Sequence, residues 1–153
     1  MGQNKMNKVR KTGIAAILTG LVIMSGFALL FLVLDYPLVR LYTEDPNVIH
    51  YATGLVMIAG LFQLFDGTQA IGLGILRGAS DVKIPTLVTL IAYWGIGLPL
   101  GVYLALHTSY NVYGMWFALL SALLFASIMH TLRFMSITRK KISEVIFLII
   151  RVR

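Results

Sequence analysis

The chain alternates long apolar runs with short polar breaks. Residues 12–34 carry no charged side chain, 46–76 carry only Asp66, and 84–132 carry none apart from histidine. Roughly 20 apolar residues, at about 1.5 Å each, cross the ~30 Å hydrocarbon layer of a bilayer, so the first two runs fit one span each and the third fits two. The predicted spans are 12–34, 46–76, 84–106 and 111–132. The breaks carry matching signals. Pro37 cannot donate into a continuing helix and disfavours helical geometry at Tyr36, which ends the first span near Asp35. Asp45 before Pro46 starts the second, since a carboxylate caps free backbone donors and proline tolerates the first helical position. PLVRLYTEDP (37–46) is expected along the outer interface. In RGASDVK (77–83), Gly78 suits a helix C-terminus, Ser80 or Asp81 could cap the next helix, and Arg77 and Asp81 could pair. Within the third span, YWGIGLPLG (93–101) contains Pro99 among glycines, so a bend is expected.

Composition agrees with an all-α membrane protein. The 153 residues are 58% apolar and only 12% charged, with a mean hydropathy of +0.84, far from a soluble domain with about a quarter of its residues charged. The net charge of +7 would suit nucleic acid, but its placement argues for a bilayer instead. Lys5, Lys8, Arg10 and Lys11 precede the first span, Arg77 and Lys83 lie between the second and third, and Arg133, Arg139, Lys140, Lys141, Arg151 and Arg153 follow the fourth. Arg40 alone lies on the other side. By the positive-inside rule both ends are expected in the cytoplasm of a multi-pass plasma-membrane protein, a bacterial inner membrane being the natural setting. Four spans also argue against reading the basic N-terminus as a cleaved signal. Cysteine is absent, which excludes disulfides and thiolate metal sites. The tail 137–153 is basic and then apolar, too short to cross, and is expected to be interfacial or disordered on the cytoplasmic side.

No phosphate loop, zinc-ligand cluster or nucleophilic constellation is present, so an enzyme is not expected. His50, His107 and His130 are far apart and read as structural or solvated. Asp66 is the one acidic residue inside a span, about 15 Å along a helix from the basic boundary at Leu76. An ionised carboxylate there costs several kcal/mol without a partner, so it is expected to be protonated or to hold a cation. At helical spacing Phe62, Gln63 and Gln69 neighbour it, giving two amides and an aromatic ring beside one carboxylate. Amides can donate to the carboxylate or offer oxygen to a cation, and a ring face attracts organic cations. A protonated Asp66 hydrogen-bonded for packing is the alternative. Gly60, Gly67 and Gly74 recur every seven residues, with Gly78 one turn beyond; Gly74–Gly78 and Gly97–Gly101 have G-x-x-x-G spacing, and close helix packing is expected along both.

The run LFQLFDGTQAIGLGILRGASDVKIPTLVTLIAYWGIGLPLG (61–101) resembles the tenth and eleventh helices of multidrug and toxic compound extrusion (MATE) transporters of the NorM-like branch. The likeness rests on Asp66 to Gln69, on the LRG-x-x-D turn from Leu76 to Asp81 with Pro85 after it, and on YW-x-x-G-L-P-x-G. It extends more loosely over residues 2–136. The family has twelve helices in two lobes of six around a central cavity, so the four spans resemble helices 9 to 12 and residues 1–136 a partial C-terminal lobe. The resemblance implies that Asp66 contributes to a cation site, holding sodium or a proton, and makes Phe62, Gln63, Gln69 and Tyr93 candidates to line the cavity. Phe62 stands where some members have a tyrosine, which removes a possible hydroxyl ligand. A secondary active antiporter exporting organic cations is then expected, with no cofactor beyond the coupling ion, and with an N-terminal lobe not contained in these residues. The chain is expected to be a fragment, inactive alone. Two other readings remain open: a lipid-precursor flippase part, disfavoured by the lack of basic residues within the spans, and a stand-alone four-span scaffold or homo-oligomeric subunit.

Overall fold

A computed structural model describes the backbone of residues 2–151 and the side chains of residues 7–139. Every regular element among the described residues is a helix. α1 runs Gly2–Val33, α2 Asp35–Arg40, α3 Pro46–Gly78, α4 Lys83–Leu90 and α5 Leu98–His107, with a π-helical segment Ile91–Gly97 joining α4 to α5; α6 runs Val112–Arg151. Among the described residues four stretches are long and apolar enough to cross a membrane: Asn7–Val33, Pro46–Gly78, Lys83–His107 and Val112–Arg139. Helix thus extends beyond the expected spans at the basic end. The segment holding Lys8, Arg10 and Lys11 is a continuous part of α1, because nothing in it breaks a helix. The tail, expected to be interfacial or disordered, continues α6; its side chains beyond Arg139 lie outside the described residues.

The turns follow from local chemistry. The Asp45 carboxylate accepts from the Asn47 amide at 2.8 Å, with Pro46 at the first helical position, capping α3 as its sequence demands. Pro37 falls in the first turn of α2, where its missing donor costs nothing. At the other end of α3 the capping expectations are corrected. Neither Ser80 nor Asp81 caps α4, whose N-cap is Val82 without a side-chain bond. Asp81 instead accepts from Arg133 Nε of α6 at 2.8 Å, not from Arg77, so the turn is tied to a neighbouring helix. Asp81 N donates to Leu76 O and Ser80 N to Arg77 O, both at 2.9 Å. This is a Schellman closure that puts Ser80, not Gly78, in the left-handed region at φ 63°. Ser80→Gly is expected to remove that strain and stabilise the fold by about 1 kcal/mol. A higher thermal unfolding midpoint in detergent is the readout, and an unchanged or lower one contradicts the geometry.

The bend expected near Pro99 takes the form of the π segment. Pro99 has no amide proton to give the Gly95 carbonyl, and the Leu98 amide reaches back five residues to Tyr93 O. One extra residue is thereby accommodated in the span.

α3 lies at the centre, flanked by α1 and α6, and the span containing the π segment packs on α6. Ile17, Leu76 and Phe134 form the core at the basic end, and Ala92, Ala122 and Ala126 form a second cluster where the π segment meets α6. Small residues set the approaches. The Phe134 ring fills the space left by Gly13, and a side chain on Gly60 would meet the Ala28 carbonyl at 3.2 Å. Gly67 sits against Met24, Gly97 against Ala122, and Gly101 against Met115 and Ala118. Gly74 and Gly78, expected to pack in the same way, have no atom of the described side chains or backbone within 4 Å of where a Cβ would be. At 100° per residue each heptad falls 20° short of two turns, so the glycine row leaves the α1 seam by Gly74. Gly72 makes a close contact on another side of α3, against His130 Cβ of α6.

Candidate functional site

Asp66 lies within α3, twelve residues or about 18 Å before its end at Gly78. Two sides of α3 are engaged, one by α1 and the other by α6 and the π segment. Asp66, Ala70, Gly74 and Arg77, spaced four, four and three, form an exposed stripe on the side that no helix of this chain covers. The membrane-embedded carboxylate thus faces out of the four-span bundle.

The neighbours expected beside it divide. Phe62 and Gln69 lie on its flank nearest α6, about 40° and 60° around the helix from it, and Gln63 on the other flank. Phe62 packs edge-on against Trp116 of α6, with ring centroids 5.4 Å apart. Gln69 is buried, and its Oε1 accepts from the Tyr93 hydroxyl at 3.1 Å. Gln63 is half-buried. The structure therefore brings Gln69 and Tyr93 into direct contact. The π segment carries this arrangement: Tyr93 turns toward Gln69, while its neighbour Trp94 stays largely exposed.

Two hollows flank Asp66 on the uncovered side. One, of about 600 Å³, lies between α2 and α3 and reaches from Tyr42 and Val39 down to Ala59, two helical turns before Asp66. The other, of about 240 Å³, lies beyond it and is lined by Leu73, Arg77, Thr86, Thr89, Leu90 and Trp94. Trp94, Trp116 and the two threonines were not singled out from the sequence. An aromatic residue in an apolar span carries no mark that separates a cavity wall from a lipid contact. No group of three or more metal-ligating side chains occurs among the described residues. Any cation held at Asp66 therefore takes its other ligands from amides, carbonyls, water or elements outside this chain.

His130, read as structural or solvated, proves fully buried. Its Nε2 lies 3.2 Å from Pro85 O and 3.4 Å from Thr89 Oγ1, so it ties α6 to the start of α4 from the side of α3 away from Asp66.

Fold and site together define a multi-pass α-helical membrane protein with one carboxylate midway along a span and turned toward an uncovered face. Comparison with known proteins then gives the family. The MatE family profile matches residues 1–103, and the chain belongs to that family. It is 36% identical over 130 residues to the probable multidrug resistance protein NorM of Burkholderia pseudomallei, covering 82% of this chain and 28% of that protein. It is likewise 36% identical over 137 residues to the multidrug resistance protein MdtK of Edwardsiella ictaluri, covering 87% of this chain and 30% of that one. A NorM from Agrobacterium fabrum is 41% identical over 98 residues, 64% of this chain and 21% of that protein. The chain spans less than a third of the length of these relatives.

Proposed function

We propose that this chain forms part of the C-terminal lobe of a secondary active multidrug antiporter, in which sodium ions or protons moving inward through a site at Asp66 drive the export of organic cations. The position of Asp66 carries the reading: an acidic side chain at membrane depth, on the uncovered face, between two hollows. A carboxylate that alternates between neutral and charged, or between empty and ion-bound, changes the local electrostatic energy by several kcal/mol in a medium poor in water. That is enough to bias two conformations of a lobe. The hollows suit the proposed substrates. Tyr42 in the larger hollow and Trp94 in the smaller offer ring faces to a delocalised cation, and Arg77, at the far wall of the smaller hollow, lies about three turns from Asp66. Remaining elements, including an N-terminal lobe, would cover the exposed stripe and complete the cavity. The basic residues at both ends and at the α3–α4 turn support a cytoplasmic position for these in an inner-membrane protein.

Membrane vesicles holding the intact protein and preloaded with a fluorescent organic cation test this. Imposing a sodium or proton gradient across them should drive the dye against its own gradient, and the ion that does so identifies the coupling. The 153 residues alone should give no gradient-dependent movement. Coupled transport by this chain without the rest would overturn the proposal.

A further inference from the structure

On the opposite side of α3 from Asp66 lies a hollow unrelated to the transport face. It has a volume of about 590 Å³ and is lined by Tyr36, Arg40 and Glu44 from α2 and its following loop, and by His50, Thr53 and Gly54 from α3. Thr53 and Asp66 point about 140° apart on the helix. The hollow sits at the end of the bundle away from the basic turn, where Arg40 is the only Lys or Arg. Its two charges are uncommitted: the one ion pair among the described residues is Arg133–Asp81. The Arg40 guanidinium lies 5.9 Å from the Tyr36 ring centroid, and His50 rests edge-on against Tyr51 at 5.6 Å. A cationic donor, an acidic acceptor and an imidazole thus surround one space at the level of the membrane surface.

An apolar strip on α1 ends three residues before Tyr36 of this hollow. Backbone bonds Leu34 N to Leu30 O and Leu38 N to Leu34 O close α1 and open α2, with Leu34 itself outside helical geometry at φ −108° and ψ 19°. Val22, Leu29 and Val33, spaced seven and four, follow one another along one face of α1, which ends just before the bend that leads to Tyr36. Leu29 and Val33 are 62% and 65% exposed, and Gly26 on the same face has open space beside it.

We infer that this is a binding site for a phospholipid with a primary-amine zwitterionic headgroup, phosphatidylethanolamine in chemical terms. Arg40 and His50 receive the phosphate, the Glu44 carboxylate accepts from the ammonium, and an acyl chain lies along Leu29 and Val33. An ammonium donates three hydrogen bonds where a choline headgroup donates none, and an anionic headgroup leaves Glu44 facing a negative charge. The inference needs the spans to lie in a bilayer with this face toward lipid; it does not rest on the proposed antiport.

The test uses the intact protein extracted in mild detergent and offered equal amounts of phosphatidylethanolamine, phosphatidylcholine and phosphatidylglycerol with identical chains. Retained lipid is counted by mass spectrometry after gel filtration. Phosphatidylethanolamine should be enriched, and Arg40→Gln should cut its retention about tenfold, as loss of one charge-assisted bond implies. Glu44→Gln, at an exposed side chain that folding does not need, should instead invert the preference toward phosphatidylglycerol. Glycerophosphoethanolamine, which has the headgroup without chains, should not displace the lipid at equal concentration; displacement would overturn the acyl lane. Equal retention of the three lipids by the unaltered protein, or the same profile in both variants as in the parent, would overturn the site.

Discussion

Asp66→Asn in the intact protein is expected to lower cation-driven efflux by at least about tenfold, with the amount of protein in the membrane unchanged. Asparagine has nearly the shape of aspartate, and Asp66 faces away from the packed sides of α3, so the bundle loses no contact. What disappears is the ability to change charge. An amide can neither release a proton nor neutralise a sodium ion, and the electrostatic difference between loaded and empty states collapses. Passive exchange of the organic cation across the same vesicles should survive, which separates loss of coupling from loss of the cavity. Asp66→Glu keeps the charge but moves it by one methylene, and an intermediate rate is expected. Unchanged efflux of Asp66→Asn under the same imposed gradient would remove Asp66 from the mechanism and leave it a packing residue.

The largest effect on stability is expected at Gly114, where α6 begins against α5. A Cβ there would lie 2.8 Å from the Leu104 carbonyl carbon and 3.0 Å from Ala105 N. These are backbone atoms of a packed helix and cannot swing aside as a side-chain tip can. Gly114→Ala should therefore cost about 2 kcal/mol despite the better helix propensity of alanine, and Gly114→Val more. Gly74→Ala serves as the contrast. With open space beside it in this chain, propensity alone acts, and a gain of up to about 1 kcal/mol is expected in the isolated four-span bundle. Unfolding midpoints in detergent read both, and equal shifts at the two positions would show that backbone approach does not limit this packing.

The spans, the Asp45–Pro46 start of α3, the disturbance near Pro99 and the place of Asp66 were all legible from residue type, because bilayer thickness, capping and proline geometry act locally. Contacts between spans were not. In a soluble helix the apolar stripe names the buried face, but here Leu29 and Val33 are exposed while the equally apolar Leu76 is fully buried. Lipid removes the contrast that sequence reading depends on. The packing of Phe62 on Trp116, the pairing of Asp81 with Arg133 and the burial of His130 all join residues far apart in the chain. Each is fixed by how the helices are rotated against one another, which no local signal records. The Gly60–Gly67–Gly74 row shows the same limit: its repeat is visible, yet where it leaves the seam depends on the line along which α1 crosses α3.

The length of α6 has a practical consequence. Its 40 residues amount to about 60 Å, twice the hydrocarbon thickness, so the helix that holds Trp116 at one end emerges from the bilayer as a rod at the other. Any tilt or rotation of α6 is carried out of the membrane along this rod. A spin label or fluorophore on its emergent turns would therefore act as a remote gauge of the lobe, reporting its movements from water without a probe in the cavity.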